Sequence, residues 1–462
     1  MKIKLFRKKN VRKLLMQKGD VQLKKTMGAF DLILLGVGAI VGTGIFILPG
    51  TVASEHSGPA IVFSFIIAAI VCALAGMCYS EFASAVPVTG SAYTYSYIVF
   101  GEVIAWLVGW ALLLEYGLAT AAVATGWSGY LSSLLAGFNI EIPHAISGPF
   151  SPENGTYINL PAIFIVLVIG YLLTLGIKES TRFNTIMVGI KVTVILLFII
   201  VGIFYVEPPN WTPFMPFGMS GVLSGAALVF FAYLGFDAVS SAAEEVKNPQ
   251  RNMPIGIIGS LFICTLLYVA VSLVLTGMVP YTSLNVSDPV SYAMQLAHQS
   301  WIAGIISLGA VVGMMTVILV MMYGGTRLLY AIGRDGLLPK VMSEIHPKYK
   351  TPVKNTWIFA TMIACCAGFI PLDKLTELVN MGTLIAFTIV SIGIIWLRKN
   401  KDITAGGFKV PFYPILPILS FVMCIFLISQ LSFHTWIACG IWFLIGLTVY
   451  LIYGKWHSVM EK

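Results

Sequence analysis

The chain has 462 residues, of which 58% are hydrophobic and 10% are charged, and its formal net charge at pH 7 is +8. An ordinary soluble domain carries about 25% charged residues, so this composition excludes a soluble globular protein and indicates a chain that lies mostly in lipid. The positive charge does not indicate nucleic acid, because the basic residues lie beside apolar segments, where membrane topology accounts for them.

Apolar runs follow one another from residue 29 to residue 453. A helix needs about 20 apolar residues to cross the hydrocarbon core of a bilayer. The twelve predicted runs are 29–50, 60–84, 101–133, 160–177, 184–206, 222–242, 254–278, 301–330, 356–371, 377–397, 413–430 and 434–453. The third and eighth runs are long, which predicts tilt or extension beyond the bilayer. We therefore predict one all-α integral membrane domain with twelve transmembrane helices.

Basic residues decide the predicted orientation. If the N-terminus is cytoplasmic, 26 of the 28 Lys and Arg residues lie on the cytoplasmic side, the exceptions being Lys374 in a short outer loop and Lys191 within the fifth run. The positive-inside rule then predicts cytoplasmic N- and C-termini for a multi-pass protein of the cell membrane. Residues 1–28 form a basic cytoplasmic segment that does not resemble a secretory signal peptide, and residues 454–462 form a cytoplasmic tail.

The first run contains four glycines within nine residues: Gly36, Gly38, Gly42 and Gly44. Each glycine inside a helix costs about 1 kcal/mol relative to alanine, and a break in lipid is tolerated only where it lines a cavity or is covered by protein. Two interpretations remain open. Gly38 and Gly42 could form a small-residue face for close helix packing, or the segment could be unwound and bind a ligand.

The sixth run has a second interruption at residues 230–237, where Gly235 and Asp237 stand among apolar residues. It comes five runs after the first interruption. Transporters built from inverted five-helix repeats place their discontinuous helices at corresponding positions and hold the substrate between them.

The predicted topology orients the free backbone groups at both breaks. The outer half of the first run presents N–H groups that attract a carboxylate, with the Thr43 hydroxyl as a further donor. The outer half of the sixth run ends in free carbonyls that accept an ammonium, together with one carbonyl of the first run. The N–H groups belong to Gly42, Thr43 and Gly44, and the carbonyls to Phe231, Ala232, Leu234 and Ile40. A zwitterionic α-amino acid has this charge pattern.

Three ionisable residues lie well inside predicted runs, namely Glu115, Lys191 and Asp237. Such residues cost at least about 2.5 to 3.5 kcal/mol on insertion scales and are functional candidates by default. Burial disfavours the charged form of a lysine, so Lys191 could release and regain a proton and couple proton movement to transport. Glu115 could select a cationic side chain or relay a proton. A structural Lys191–Asp237 pair is the alternative.

A charged segment follows the sixth run. Glu244 and Glu245, with Lys247 and Arg251, lie just past its cytoplasmic end. We predict that these residues form a solvated network at an inner gate rather than a ligand site.

The sequence contains no pattern typical of an enzyme or a metal protein. The six histidines lie in loops or near run ends, and the seven cysteines lie in apolar runs without the spacing of metal ligands. We therefore predict no catalytic residue, no metal and no cofactor other than a coupling ion.

Several segments in combination resemble the amino acid/polyamine/organocation superfamily, and most nearly its bacterial members that are similar to cationic amino acid transporters and branched-chain amino acid permeases. The resemblance covers nearly the whole chain. It is carried by residues 36–46, by Glu81, Pro87, Gly90, Ser91, Tyr93 and Tyr95, by Gly101, Glu102, Trp106, Gly109 and Trp110, and by residues 235–249.

This resemblance implies a LeuT-type arrangement with discontinuous helices 1 and 6. The first five-helix repeat would be residues 29–206, the inverted second repeat residues 222–397, and helices 11 and 12 residues 413–453. It implies that Ile40, Thr43 and Gly44 of the first run, and Phe231, Ala232 and Leu234 of the sixth, bind the amino acid backbone, with Phe231 as an aromatic gate. Lys191 stands where some proton-coupled relatives have a lysine, which favours a proton over sodium.

Apolar and acidic residues both belong to the predicted substrate pocket. Met321, Tyr116 and Phe236 suggest an apolar pocket, with Asp237 grouped among the binding residues, whereas Glu115 favours Arg or Lys. We predict transport of broad neutral L-amino acids, including branched-chain ones. The alternatives are cationic substrates, an exchanger, and an ion channel, which would need a continuous polar pore. The predicted partners are the amino acid and membrane lipid, without nucleic acid, and the oligomeric state stays open.

Overall fold

The computed structural model describes residues 7–8, 27–86, 91–176, 181–241, 246–399 and 407–459. Within these ranges the regular structure is helical and no β-strand is formed, so the predicted all-α class is confirmed. Most of the basic N-terminal segment, the family marks Pro87 and Gly90, and the predicted gate residues Glu244 and Glu245 lie outside the described residues.

The helices are numbered here in chain order. They are α1 Ala29–Ile40, α2 Thr43–Phe46, α3 Leu48–Val52, α4 Ile61–Ala85, α5 Ser91–Val99, α6 Glu102–Ala136, α7 Leu160–Thr174, α8 Thr181–Gly202, α9 Gly218–Val229, α10 Phe236–Ser241, α11 Pro249–Met278, α12 Pro289–Leu296, α13 Ser300–Arg334, α14 Val353–Phe369, α15 Leu372–Leu397, α16 Ile415–Ser429, α17 Phe433–Val449 and α18 Lys455–His457.

Each of the twelve predicted runs contains an apolar helix. Of the helices in the described ranges, seven are long and apolar enough to cross a membrane: Leu48–Ala85, Glu102–Ala136, Thr185–Tyr205, Pro249–Met278, Ser300–Arg334, Leu372–Leu397 and Phe433–His457. The shorter apolar helices are Ala29–Ile40, Leu160–Thr174, Gly218–Tyr233, Val353–Phe369 and Ile415–Ser429. Two of these shorter helices belong to the interrupted first and sixth runs, where a break divides the apolar segment.

The third and eighth runs form long, continuous α-helices. Helices α6 and α13 have 35 residues each. At a rise of 1.5 Å per residue each is about 50 Å long, which exceeds the roughly 30 Å hydrocarbon core. They pack side by side, and the backbone of α13 approaches α6 closely at Gly325, where an added Cβ would lie 3.2 Å from Tyr116 Cβ.

Tryptophans join the last long helix to α6. The Trp106 indole N–H donates to the Gly446 carbonyl at 2.9 Å. Trp110 and Trp442 donate to each other's carbonyls at 2.8 and 3.0 Å, and their rings stack 4.7 Å apart. All three indole N–H groups therefore have an acceptor. An unpaired donor in lipid would cost several kcal/mol.

An ion pair between Glu81 and Arg398 lies near the C-terminal end of α4. Arg398, just after α15, donates two hydrogen bonds of 2.7 Å to the Glu81 carboxylate. The Val410 N–H donates to the same carboxylate at 2.7 Å, and the Arg398 guanidinium lies 4.1 Å from the centre of the Tyr413 ring. Glu81 therefore fixes the segment between α15 and α16 against α4, with the bidentate geometry that suits an arginine.

Helix α11 begins earlier than predicted. The apolar pattern starts at residue 254, whereas the helix begins at Pro249 and contains Pro254. A proline at the first helical position is favourable because its missing N–H would have no intrahelical partner there. The extra turn carries polar side chains beyond the apolar part of the helix.

Candidate binding site at two broken helices

The first run is interrupted between α1 and α2. Helix α1 ends where the Val41 N–H donates to the Val37 carbonyl at 2.9 Å, and Gly42 then takes the non-helical angles φ −153° and ψ −137°. Helix α2 starts at Thr43. Because the first N–H groups and last carbonyls of a helix have no intrahelical partner, the break exposes acceptors at the end of α1 and donors at Thr43 and Gly44.

The sixth run is interrupted between α9 and α10. A 3₁₀ turn over Phe230–Tyr233 follows α9, Leu234 is extended with ψ 145°, and Gly235 has φ +110°. Only glycine adopts such a φ without strain. A Cβ at Gly235 would also lie 2.9 Å from the Ala39 carbonyl oxygen, so both the backbone angle and the close approach to α1 require glycine here.

The two interruptions touch each other. A Cβ built on Gly44 would lie 2.5 Å from Ala232 Cα, and one built on Gly36 would lie 2.4 Å from Ser260 Oγ of α11. The first run is thus unwound at residues 41–42, and Gly44 lets the backbone of Ala232 approach more closely than any side chain would allow. The packing face of Gly38 and Gly42 stays a prediction.

A hydroxyl from α11 joins the two breaks. The buried Tyr268 side chain donates to the Ala232 carbonyl at 2.6 Å and lies 3.2 Å from the Ile40 carbonyl oxygen. These are two of the four carbonyls predicted to accept an ammonium. A carbonyl oxygen has two lone pairs, so each can accept a second hydrogen bond.

Sequence reasoning missed Tyr268. The available signal was a hydroxyl in the middle of an apolar run, which must find an acceptor when it is buried in lipid. The identity of that acceptor could not be read from the sequence, because Ala232 and Ile40 lie 36 and 228 residues away.

Lys191 is fully buried in α8, and its ammonium donates to the Gly38 carbonyl at 2.8 Å. In an unbroken helix that carbonyl would accept from the N–H four residues on, at Gly42, so the break makes it available. A Cβ on Gly313 would lie 2.9 Å from Lys191 Cγ. The Lys191 side chain therefore extends from α8 to contact both α1 and α13.

Asp237, the acid of the second break, is buried and accepts a 2.8 Å hydrogen bond from the Tyr116 hydroxyl of α6. The hydrogen bonds named here join Lys191 to Gly38 and Asp237 to Tyr116, and the Lys191–Asp237 pair stays a prediction.

Glu115 is completely buried beside Tyr116 on α6, within electrostatic range of Asp237. Neither of its carboxylate oxygens forms a hydrogen bond of ordinary geometry within the described part of the chain, although the Thr383 side chain lies close to them. The buried hydroxyl of Tyr79 has no hydrogen-bond partner there either. Buried polar groups are normally hydrogen-bonded, so this region has unused capacity for water or for a polar ligand group.

The remaining predicted residues are buried but do not all face the breaks. Phe236 packs its ring against Tyr79 and Phe387, with centroid distances of 5.8 and 5.0 Å, in an aromatic cluster between α4 and α15. Met321 lies one turn beyond Val317 of α13, whose methyl group would be 3.2 Å from a Cβ on Gly42. Phe231 lies in the 3₁₀ turn, where its carbonyl accepts from the Leu234 N–H at 3.2 Å.

The Thr43 hydroxyl, predicted to contact a carboxylate, lies 3.5 Å from the Met314 sulfur in α13. A thioether is a weak acceptor, so this contact leaves the hydroxyl able to take a stronger partner. Among the residues with described coordinates, no group of three or more His, Cys, Asp or Glu side chains could hold a metal ion.

The sequence has extensive similarity to known membrane proteins. A family model described as amino acid permease matches residues 27–436. The methylthioribose transporter of Bacillus subtilis is 54% identical over 458 residues, which cover 99% of both chains. The branched-chain amino acid permease BcaP of the same organism is 51% identical over 100% of both chains. The vacuolar cationic amino acid transporter 4 of Arabidopsis thaliana is 33% identical over 96% of this chain and 94% of its own.

Proposed function

Since this chain belongs to the amino acid permease family, whose members are transporters rather than enzymes, we propose that it takes up neutral L-amino acids, including branched-chain ones, by proton-coupled alternating access. Membership of the amino acid/polyamine/organocation superfamily confirms the resemblance found in the sequence. The proposal places the protein in the cell membrane as a multi-pass permease.

The observation that carries this proposal is the pair of touching breaks. The start of α2 offers backbone N–H groups at Thr43 and Gly44, which suit a carboxylate. The carbonyls of Ile40 and Ala232, held together by Tyr268, suit an ammonium. An α-amino acid carries both groups on one carbon, so a single substrate could engage both sides.

The proposed architecture has twelve spans. Residues 29–206 and 222–397 would be inverted five-helix repeats, and residues 413–453 would add helices 11 and 12. The corresponding positions of the breaks, in the first helix of each repeat, support this assignment. The distribution of Lys and Arg supports cytoplasmic termini.

Proton coupling would act through Lys191. Its ammonium holds the carbonyl of Gly38 at the end of α1. A protonated amine bonds a carbonyl more strongly than a neutral amine does, so loss of the proton would weaken the link between α8 and α1. Movement of α1 would then depend on the protonation state, and no sodium ion would be needed.

Two observations favour other substrates. The buried Glu115 carboxyl is an acidic group that a cationic amino acid could engage, and a relative named as a cationic amino acid transporter is 33% identical. A relative named as a methylthioribose transporter is 54% identical, and methylthioribose is a neutral thiosugar with neither a carboxylate nor an ammonium.

The test is uptake of radiolabelled substrates into liposomes that contain the purified protein, with and without an inward proton gradient. The panel would contain leucine, isoleucine, alanine, arginine, lysine and methylthioribose. Gradient-dependent accumulation of neutral amino acids would support the proposal. Accumulation of arginine alone or methylthioribose alone would replace the substrate, and uptake that requires internal amino acid would identify an exchanger.

A further inference from the structure

An open groove of about 750 Å³ lies on the outside of α11, away from the helix breaks. One wall is the first part of α11, and the other is the segment that precedes α16. The apolar wall residues are Pro254, Ile255, Ile258 and Phe408, and the polar end of the groove is formed by Gln250 and Arg251. The groove thus combines an apolar length with a polar, basic end.

The apolar side of the groove continues along α11 as an exposed stripe. Ile255, Phe262 and Leu266 follow one another on one helix face and are 42%, 63% and 56% exposed. In a chain of this family such a stripe faces the hydrocarbon core, where acyl chains cover it. The occupant of the groove must therefore be compatible with lipid.

The basic end selects the charge of that occupant. Arg251 lines the groove, Lys409 follows the wall residue Phe408 directly, and Lys247 lies just before α11. All three side chains are exposed. Arg251 and Lys409 form no ion pair with any other residue in the described ranges, and no acidic side chain lines the groove there. Basic pockets at the membrane surface attract anionic lipid headgroups.

The second wall is held in place independently of any ligand. The Ser84 hydroxyl of α4 lies 3.5 Å from the Phe408 carbonyl oxygen, and the Val410 N–H donates to the Glu81 carboxylate at 2.7 Å. A Cβ on Gly407 would lie 2.9 Å from Ser84 Oγ, so the segment lies tightly against α4. The groove is therefore preformed, which lowers the entropic cost of binding.

We propose that this groove is a binding site for an anionic phospholipid, with an acyl chain along Ile255 and Ile258 and the phosphate between Arg251 and Lys409. The same part of α11 also packs on α1, because a Cβ on Gly256, which does not line the groove, would lie 2.5 Å from Leu32 Cβ. A lipid bound here would brace the helix that supports the inner half of the first run. The site does not depend on the substrate carried.

The experiment is native mass spectrometry of the purified full-length protein in detergent with equal amounts of phosphatidylglycerol and phosphatidylcholine. The readout is the ratio of the two lipids in the first retained adduct. The test variant is Arg251→Gln/Lys409→Gln. The matched control is Arg334→Gln/Lys340→Gln, which removes the same two charge types from exposed positions outside the groove. A third variant, Ile255→Trp, fills the apolar part of the groove.

Phosphatidylglycerol should predominate on the unaltered protein and on the control. The preference should fall by about fivefold for each basic residue removed from the groove. Ile255→Trp should reduce retention of the first lipid of either kind. Equal retention of both lipids by the unaltered protein would overturn the proposal. So would an unchanged preference in the groove variant, an equal loss in the control, or full retention in Ile255→Trp.

Discussion

The Lys191 ammonium donates a 2.8 Å hydrogen bond to the carbonyl oxygen of Gly38, which joins the middle of α8 to the last turn of α1. The acceptor is available because α1 stops at Ile40 rather than continuing through Gly42. The break that opens the candidate site thus also supplies the acceptor for the buried charge. This bond is the structural basis for the proposed link between protonation and movement of α1.

Replacing Lys191 by alanine should abolish accumulation driven by a proton gradient and leave part of the substrate binding intact. The reason is that the substitution removes the titrating group but none of the backbone groups at the breaks. The measurement is uptake into liposomes with and without the gradient, together with binding in detergent. Lys374→Ala, at an exposed lysine, is the control and should behave as the unaltered protein does. An unchanged pH dependence in Lys191→Ala would remove this residue from the coupling mechanism.

Gly44→Val should eliminate amino acid binding, and the structure shows that even Gly44→Ala is severe. The new Cβ would lie 2.5 Å from Ala232 Cα, so the two breaks must separate, at a cost of about 1–3 kcal/mol for overpacking. Thermal unfolding with and without leucine checks both stability and binding. Gly304→Ala is the matched control, because a Cβ there meets nothing within 4 Å. If Gly44→Ala folds and leucine raises its Tm as much as it raises that of the unaltered protein, Gly44 contributes to helix packing but not to amino acid binding.

Tyr268→Phe should weaken substrate affinity by removing the hydroxyl that holds the carbonyls of Ala232 and Ile40 together. The loss of a buried hydrogen bond should also lower stability by about 1–3 kcal/mol. Tyr233→Phe is the matched control, since that buried hydroxyl donates to the Phe65 carbonyl at 3.0 Å instead. We expect similar losses of Tm in both variants but an increased KM for leucine only in Tyr268→Phe. Equal KM values would show that Tyr268 acts on folding only.

Glu115→Gln should retain leucine uptake and should not lower the thermal stability. The substitution keeps the shape of the side chain and removes a buried carboxylate whose oxygens form no hydrogen bond of ordinary geometry in the described part of the chain. Uptake of labelled leucine in the presence of excess arginine measures both specificities at once. Inhibition by arginine that disappears in Glu115→Gln would support the cationic alternative. Loss of leucine uptake would instead place the carboxylate in the transport mechanism of neutral substrates.

Asp288 is expected to make stability depend on pH. It lies directly before α12, in the loop that follows α11. Burial raises the pKa of its carboxyl from 3.8 to about 6, and a hydrogen bond with the Ser133 side chain opposes this rise. Between pH 4 and pH 6 the folded protein therefore keeps a proton on Asp288 that the unfolded chain has already released. Stability should rise as the pH falls through this window, and the full cost of the charged group is present above pH 6.

Asp288→Asn should flatten that pH dependence and raise the free energy of unfolding at pH 7.5 by on the order of 1–3 kcal/mol. Thermal unfolding at pH 5 and pH 7.5 measures the effect. The exposed Glu141→Gln is the control and should leave the profile as it is. A profile in Asp288→Asn identical to that of the unaltered protein would show that the charge of Asp288 has no influence on stability.

The sequence by itself determined the all-α membrane class, the positions of the apolar runs and both helix breaks. These features are local, because hydropathy over about 20 residues and glycine in a short segment act on the backbone where they stand. The same local logic identified Lys191, Asp237 and Glu115 as buried charges. Helix ends were less accurate, as at α11, because a polar turn can extend a helix beyond the apolar pattern.

Only the tertiary structure decided which groups meet. The Tyr268 hydroxyl contacts the carbonyls of Ala232 and Ile40, and Gly44 packs against Ala232. Asp237 accepts a hydrogen bond from Tyr116, and the Phe236 ring packs in an aromatic cluster with Tyr79. Most of these pairs are more than 100 residues apart. Periodicity places a residue on a helix face, but the partner across that face depends on how all the helices pack, and no local pattern contains that information.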